Sequence, residues 1–225
     1  NPQITFFKVV YRRHTNFSME TIQQTISGAS TTAGGSGTVT LSRNGDLVTS
    51  VYVTTNSPGV HHGSAIVKEA ELEIGGQLID RQNEEWNDIW NELTIPDSKA
   101  RGFKCMICDI GESGITATSP KTGHATKHGV GMVQIPLNFW FCRNPGLALP
   151  LIALQYHEVK IIFSWGTLST VGATANCKVW CDYIYLDTDE RRRFAQVSHE
   201  YLIEQIQKQS ATATKSTNLR FNHPV

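Results

Sequence analysis

The stretch CKVWCDYIYLDTDERRRFA, Cys177 to Ala195, constrains the fold more than any other part of the chain. From Cys177 to Leu186 it alternates with the two-residue period of a strand, then stops at a polar, charge-dense turn. Cys177, Val179, Cys181, Tyr183 and Tyr185 share one face, apolar enough to be core; Lys178, Trp180, Asp182, Ile184 and Leu186 share the other. That second face sets Trp180, Ile184 and Leu186 beside two charges, so it too is expected to be covered at one end. Asp187, three residues before Glu190, marks a helix start of capping-box type. A strand that needs cover on both faces and closes on a charged turn belongs in a packed β-sandwich whose ends make contacts.

Other segments repeat the pattern. Ile4–Arg13 (ITFFKVVYRR) is β-branched and aromatic on both faces, as in a strand buried from two sides. Phe17–Ile26 alternates weakly. Thr38–Arg43 and Leu47–Thr54 predict two strands, and the Asn44-Gly45-Asp46 between them predicts a hairpin, because Asn and Gly tolerate positive φ. Beyond Ser64, residues Ile66, Ala70, Leu72 and Ile74 are expected inward and Glu69, Glu71 and Glu73 outward, before Gly75-Gly76 turns the chain back. Asp80 is expected to cap a helix reaching Leu93. Its apolar stripe is Trp86, Ile89, Trp90 and Leu93, with Glu84, Glu85, Asp88 and Glu92 on the solvent side and Pro96 just past its end.

Phe103–Ile110, Val130–Phe141 and Gln155–Trp165 complete the expected strands, Pro136 pointing to an edge or a bulge. Gly28–Gly37, Asn56–Gly63 and Gly111–Gly129 are polar, glycine-containing loops. Tyr201–Gln209 has no clear type. No βαβ rhythm is present, so the expected fold class is all-β: an antiparallel jelly-roll sandwich with one short helix.

Charge and composition narrow the function. Lys plus Arg and Asp plus Glu number 20 each, for a formal net charge of zero, which argues against capture of nucleic acid or insertion at an anionic membrane. A near-neutral protein tends to associate with itself. Five cysteines, an odd number without regular spacing, fit reduced thiols inside a cell better than a secreted disulfide framework. No apolar run reaches the roughly 18 residues of a membrane helix. The chain opens on Asn1, so its natural N-terminus is expected to lie upstream.

Catalytic and metal constellations fall away on inspection. Cys105 and Cys108 lie in an expected strand, where an offset of three sends side chains to opposite faces, and Cys177 and Cys181 point to the core. His61-His62 and His124 with His128 have no nearby Cys or carboxylate partners. Gly111-Glu112-Ser113-Gly114 lacks the second glycine of a nucleophile elbow, and Gly34-Gly35-Ser36-Gly37 has no Lys-Ser/Thr to hold a phosphate. No catalytic residue, cofactor or metal is therefore expected. Asn16-Phe17-Ser18 matches a glycosylation sequon, a weak sign on its own. The tryptophans exceed what a sandwich edge needs. Most belong to the core, and Trp86, Trp90 and Trp180, with Arg191, Arg192 and Arg193, are the candidate interface residues.

Six segments carry a family resemblance: NPQITFFKVVYRRHTNF (Asn1–Phe17), LSRNGDLV (Leu41–Val48), ELEIGGQLIDRQNEEW (Glu71–Trp86), IPLNFWFCRNPGLALPLIALQYHEVKI (Ile135–Ile161), YLDTDERRRFAQ (Tyr185–Gln196) and LRFNHPV (Leu219–Val225). Together they closely resemble the major capsid protein of the nucleocytoplasmic large DNA viruses, the algal phycodnavirus branch above all. The resemblance implies a subunit of two consecutive jelly rolls, three copies of which form a pseudo-hexagonal capsomer that tiles an icosahedral virion.

On that pattern residues 1–210 are the N-terminal jelly roll, and 211–225 a linker into a second one that this chain does not include. The implied partners are the chain itself as a homotrimer, neighbouring capsomers and minor capsid proteins. Family members carry glycans on surface loops, and no position here matches a motif that would assign one. Two other readings remain at this stage: a minor or vertex capsid protein with a single jelly roll, and a lectin-like jelly roll.

Overall fold

The computed structural model describes residues 15–28, 34–55, 64–107, 133–166, 176–210 and 216–222. Its strands are β1 (Phe17–Gln24), β2 (Ile26–Gly28), β3 (Ser36–Thr40), β4 (Leu47–Thr55), β5 (Val67–Ile74), β6 (Gln77–Asn83), β7 (Val133–Pro136), β8 (Leu149–Pro150), β9 (Val159–Trp165) and β10 (Lys178–Leu186). One sheet runs β1-β10-β4-β7, with β8 on β4; the other runs β2-β3-β9-β5-β6. All pairings are antiparallel, the arrangement of a jelly roll. The helices are α1 (Glu84–Thr94), α2 (Asp97–Met106), α3 (Trp140–Arg143) and α4 (Thr188–Gln196).

Alternation places the core. Val179, Cys181 and Tyr183 of β10 and Val51 and Val53 of β4 meet Ala70 and Leu72 of β5 and Ile161, Phe163 and Trp165 of β9. Cys177 is buried with them and Tyr185 partly so, as the period-two reading expects. Ile66, Ala70 and Leu72 are buried likewise, and Ile74 packs at the margin. Gly75 and Gly76 form the tight β5–β6 turn with φ of 60° and 83°, a left-handed pair that only glycine takes without strain.

Asn44-Gly45-Asp46 is a corner, not a hairpin. The strands on either side of it are in different sheets. The Leu41 N–H donates to Val159 O on β9 at 2.9 Å, while the Asp46 N–H donates to Ile184 O on β10 at 2.9 Å. Gly45 is outside the left-handed region and serves another need. A Cβ there would lie 2.8 Å from Tyr183 Cβ and 3.3 Å from Ile184 O. Gly45→Val is expected to lower stability by about 1–3 kcal/mol, because the intruding carbons meet a packed β10. Urea denaturation measures it; an unchanged midpoint would show that the corner yields freely.

Other expectations also need correction. The part of Phe103–Ile110 within the described residues is the end of α2 and a turn, so Cys105 sits on a helix. Pro96 just before the helix, Asp97 in its first turn and the helix-forming Ala100, Arg101 and Lys104 outweigh the short apolar run. The described part of Val130–Phe141 contributes the short β7, and α3 begins at Trp140; Pro136 does lie on an edge strand among the described residues. The expected strand from Gln155 starts at Val159. Asp80 is a residue of β6, and the cap of α1 is Asn83, whose side chain accepts from the Trp86 N–H. Four α-helices are present among the described residues, where the expected class had one short helix and a further helix start was marked at Asp187. Gly28 and Gly37 belong to β2 and β3, and the stretches Ile4–Arg13, Asn56–Gly63 and Gly111–Gly129 lie outside the described residues.

Two devices close the sides of the sandwich. Only Thr25 separates β1 in one sheet from β2 in the other, so a single run of chain bridges that side. On the opposite side the irregular segment after α4 lies along β6. Gln205 donates to Ile79 O, the Ile206 N–H donates to Asp80 Oδ1 at 3.1 Å, and Ile203 packs on the core. A strap held by side chains covers an edge strand that would otherwise offer its backbone to another chain.

Register gathers several loop stems at one end. Gly34 N–H donates to Gly166 O, Gly166 N–H to Ile66 O, and Thr55 pairs with Val133.

Candidate assembly surfaces

Helix α1 is docked with its polar side inward. Asn87 is 1% exposed, and Asn138 Nδ2 donates to Asn87 Oδ1 at 3.1 Å and to Asn91 Oδ1 at 3.2 Å. Gln82, fully buried beneath, accepts from the Asn138 N–H, and the Ser64 hydroxyl donates to Asp88. These polar contacts leave only part of the apolar stripe outward: Ile89 is 53% and Leu93 78% exposed, while Trp86 and Trp90 are largely covered. Trp86 and Trp90 have ring centroids 5.6 Å apart, and the Arg143 guanidinium lies 3.8 Å from the Trp90 centroid. Arg143 is also ion-paired with Glu204, which ties the two tryptophans to α3 and the strap. Both expected aromatic anchors are thus partly engaged within the chain.

Helix α4 starts where the capping pattern places it, the Asp187 side chain accepting from the Thr188 N–H. Its arginines are not equivalent. Arg191 Nε is 2.9 Å from Asp46 Oδ2, an oxygen that also accepts the Leu186 N–H at 2.7 Å. Arg193 approaches Glu190 at 4.0 Å, and Arg192 is exposed without an ion pair among the described residues. Arg191 is therefore a fold-holding residue before anything else, and Asp46, noted in the sequence only as a turn residue, is its anchor.

The outer face of the β1-β10-β4 sheet is partly covered, as the mixed face of β10 implies. Trp180 is half-buried and donates from Nε1 to Thr54 Oγ1 at 3.0 Å. Asp182 accepts from the Thr21 and Ser50 hydroxyls. Toward the Leu186 end the face opens into an apolar groove of about 540 Å³ whose walls include Phe17, Met19, Leu47, Cys142, Ile184 and Leu186. Phe17 is 63% and Met19 58% exposed, a feature the weak alternation of β1 left unmarked.

Buried titratable groups here are structural. Burial pushes the Cys142 thiol up to about 12, and burial raises the Cys177 and Cys181 thiols too, which keeps them protonated and inert. Among the described residues no group of three His, Cys, Asp or Glu side chains is placed to hold a metal ion, and no helix is long and apolar enough to cross a membrane.

Comparison with known proteins shows the family. The family model described as "Major capsid protein N-terminus" matches residues 5–187. The chain belongs to this capsid protein family. It is 52% identical to the major capsid protein of Pyramimonas orientalis virus, spanning all of this chain and 59% of that protein. It is 41% identical to the major capsid protein of Paramecium bursaria Chlorella virus 1, again over all of this chain and 54% of the relative. The capsid chain thus spans little more than half the length of these curated relatives. Among solved structures, the quasi-atomic model of the PBCV-1 virus capsid superposes with a TM-score of 0.72 at 39% identity, covering 89% of this chain and 50% of that one. The resemblance drawn from the six segments and the jelly-roll class both hold.

Within this capsid chain, Asp80 couples the strap to acidity. It is 3% exposed; burial raises its pKa, and the N–H groups of Ile206 and Arg81 offset only part of that. A carboxyl whose folded pKa is raised gives stability that is full below its unfolded pKa and is lost as pH rises through the folded value. Asp80→Asn keeps an oxygen for both N–H groups and cannot ionise. Its stability relative to the parent is therefore expected to improve as pH rises from 3 to 8, in urea melts across that range. A constant difference would show that Asp80 does not titrate there.

Proposed function

We propose that the full-length protein is a structural capsid subunit of a large DNA virus, acting by burial and shape without performing a reaction. Three copies form a pseudo-hexagonal capsomer, and capsomers tile the icosahedral shell of the virion with minor capsid proteins as further partners. In this reading residues 1–210 form the first jelly roll, and 211–225 lead toward a second. The observation that carries it is the superposition on a capsid structure at 39% identity over 89% of the chain.

Mechanically, the sandwich stands on end. The stems gathered at one end of the sheets support that end as the outer top of the capsomer, with the connection from β2 to β3, Asn56–Gly63 and Gly111–Gly129 as its surface loops. No glycan is assigned to them. The lateral surfaces, α1 with Trp86 and Trp90, the outer face with Trp180, and α4 with Arg191, Arg192 and Arg193, are the candidate contact regions. An obligate interface typically buries about 2,000 Å² or more, so several such surfaces must be used together.

The test is the native full-length protein. A trimer in sedimentation analysis, and the same polypeptide as a dominant component of purified particles, is the expected result. A strictly monomeric protein, or one missing from the particles, would refute the reading. Glycan binding by such a monomer would point to a lectin instead.

A further inference from the structure

Exposed apolar side chains are spread unevenly over this chain. Ten large hydrophobics are exposed among the described residues. Six of them, Leu78, Ile89, Leu93, Leu202, Leu219 and Phe221, belong to β6, α1, the strap and the tail 216–222. These four elements adjoin. The strap runs along α1 in the opposite direction. Lys208 Nζ is 2.6 Å from Glu85 Oε1 in the first turn, and Glu204 pairs with Arg143, whose guanidinium lies over Trp90 further along. Leu202, 89% exposed, is therefore toward the Leu93 end of the helix. The tail lies antiparallel to the strap, joined to it by side chains in place of a backbone ladder. The Asn222 N–H donates to Gln207 Oε1 at 2.9 Å, and the Arg220 N–H donates to Gln209 Oε1 at 2.8 Å. Between β6, strap and tail a cleft of about 790 Å³ remains, with Leu78 and Phe221 in its walls.

We infer that in the full-length protein the polypeptide beyond residue 225 packs on this band, which makes the α1 side an internal seam of one subunit. This rests on the capsid reading and names what one of its candidate contact regions faces. Three observations carry it. First, a contiguous apolar surface of this kind marks a contact site. Second, charges beside the band are matched within the chain: Arg81 pairs with Glu69 at 2.8 Å and with Glu71, and Lys208 pairs with Glu85. An occupant therefore gains by covering apolar area, the character of a permanent contact, and charge does not steer it. Third, the chain spans 59% and 54% of two capsid relatives, and its tail runs along the band itself. Further polypeptide that follows such a tail emerges at this surface. Tethering holds it there at an effective concentration on the order of millimolar, which a free second copy does not reach. A seam between domains of one chain buries about 600–1,500 Å², within what four adjoining elements can offer.

The experiment uses the full-length protein with the photo-crosslinker p-benzoylphenylalanine placed at Leu93 in one variant and at Leu202 in another. Both positions are exposed, on two different elements, so a folding defect at one leaves the other as the test. After irradiation, denaturing gels separate products within a chain from products between chains, and peptide mass spectrometry locates the captured residues. The expected result is at least fivefold more capture within the chain than between chains, at residues beyond 225. Capture mainly of a second copy, capture confined to residues 1–225, or no capture at either position would overturn the seam. Each of those outcomes leaves the capsid reading standing, because that reading is decided separately by trimer mass and by the content of purified particles.

Discussion

Phe163→Ala is expected to destabilise the fold by about 4–5 kcal/mol, toward the upper end of the usual range for a buried aromatic. The reason lies in its neighbours. Phe163 is fully buried on β9, stacked on Trp165 with ring centroids 5.1 Å apart. Directly opposite it on β3 is Gly37, and on β5 Ala70. Residues in register share a face, so the ring fills a space that its flanking strands leave open by carrying almost no side chain. With Phe163 truncated, neither Gly37 nor Ala70 can reach into the hole, and the facing sheet cannot move closer without breaking its own ladder. The loss is therefore transfer plus an uncollapsed cavity. Guanidinium denaturation measures it; a loss below about 1.5 kcal/mol would mean that the two sheets close over the gap.

The second large effect belongs to Asp46. Asp46→Ala is expected to cost about 2–3 kcal/mol, chiefly by leaving the Leu186 N–H without an acceptor, with a smaller share from the half-exposed Arg191. The Asp46 side chain joins the corner between the sheets to the last residue of β10 and to α4. Arg191→Glu is expected to destabilise too, because it would place a second carboxylate against Asp46. Arg192→Glu and Arg193→Glu are expected to leave the unfolding midpoint within about 0.5 kcal/mol of the parent, as surface changes do. Replacing all three arginines together would therefore confuse assembly with folding. Equal melting of the Arg191 and Arg192 variants would show that the Asp46 pair contributes nothing.

What the sequence made legible follows its periodicities. The faces of β10 and β5 were plain because a period of two assigns each side chain without knowing the partner. Asn44-Gly45 was misjudged because the same dipeptide serves two needs, positive φ in a hairpin and a missing Cβ at a crowded corner; only the position of Tyr183 distinguishes them. The end of α2 was mistaken for a strand because a short apolar run carries no period of its own, whereas Pro96 and Asp97 upstream carried the helix signal. The stripe on α1 was visible, but its direction was not. Amphipathicity separates two faces and does not say which one a buried Asn87 and a distant Asn138 will pull inward. The groove was hidden for a similar reason, since Phe17, Leu47, Cys142 and Ile184 come together only when four separate segments meet.

One pairing has a consequence for how the chain is made. Thr21 on β1 bonds Asp182 on β10, 161 residues later in the sequence. On a ribosome adding about 5–20 residues per second, β1 waits about 10–30 s for the strand it must join. Through that interval Ile22 and the backbone edge of β1 are in the open, and contacts this remote in sequence form slowly even once the chain is complete. Such a polypeptide depends on being shielded during its own synthesis, and its yield in a foreign host should follow the supply of chaperones more closely than the stability of the finished sandwich.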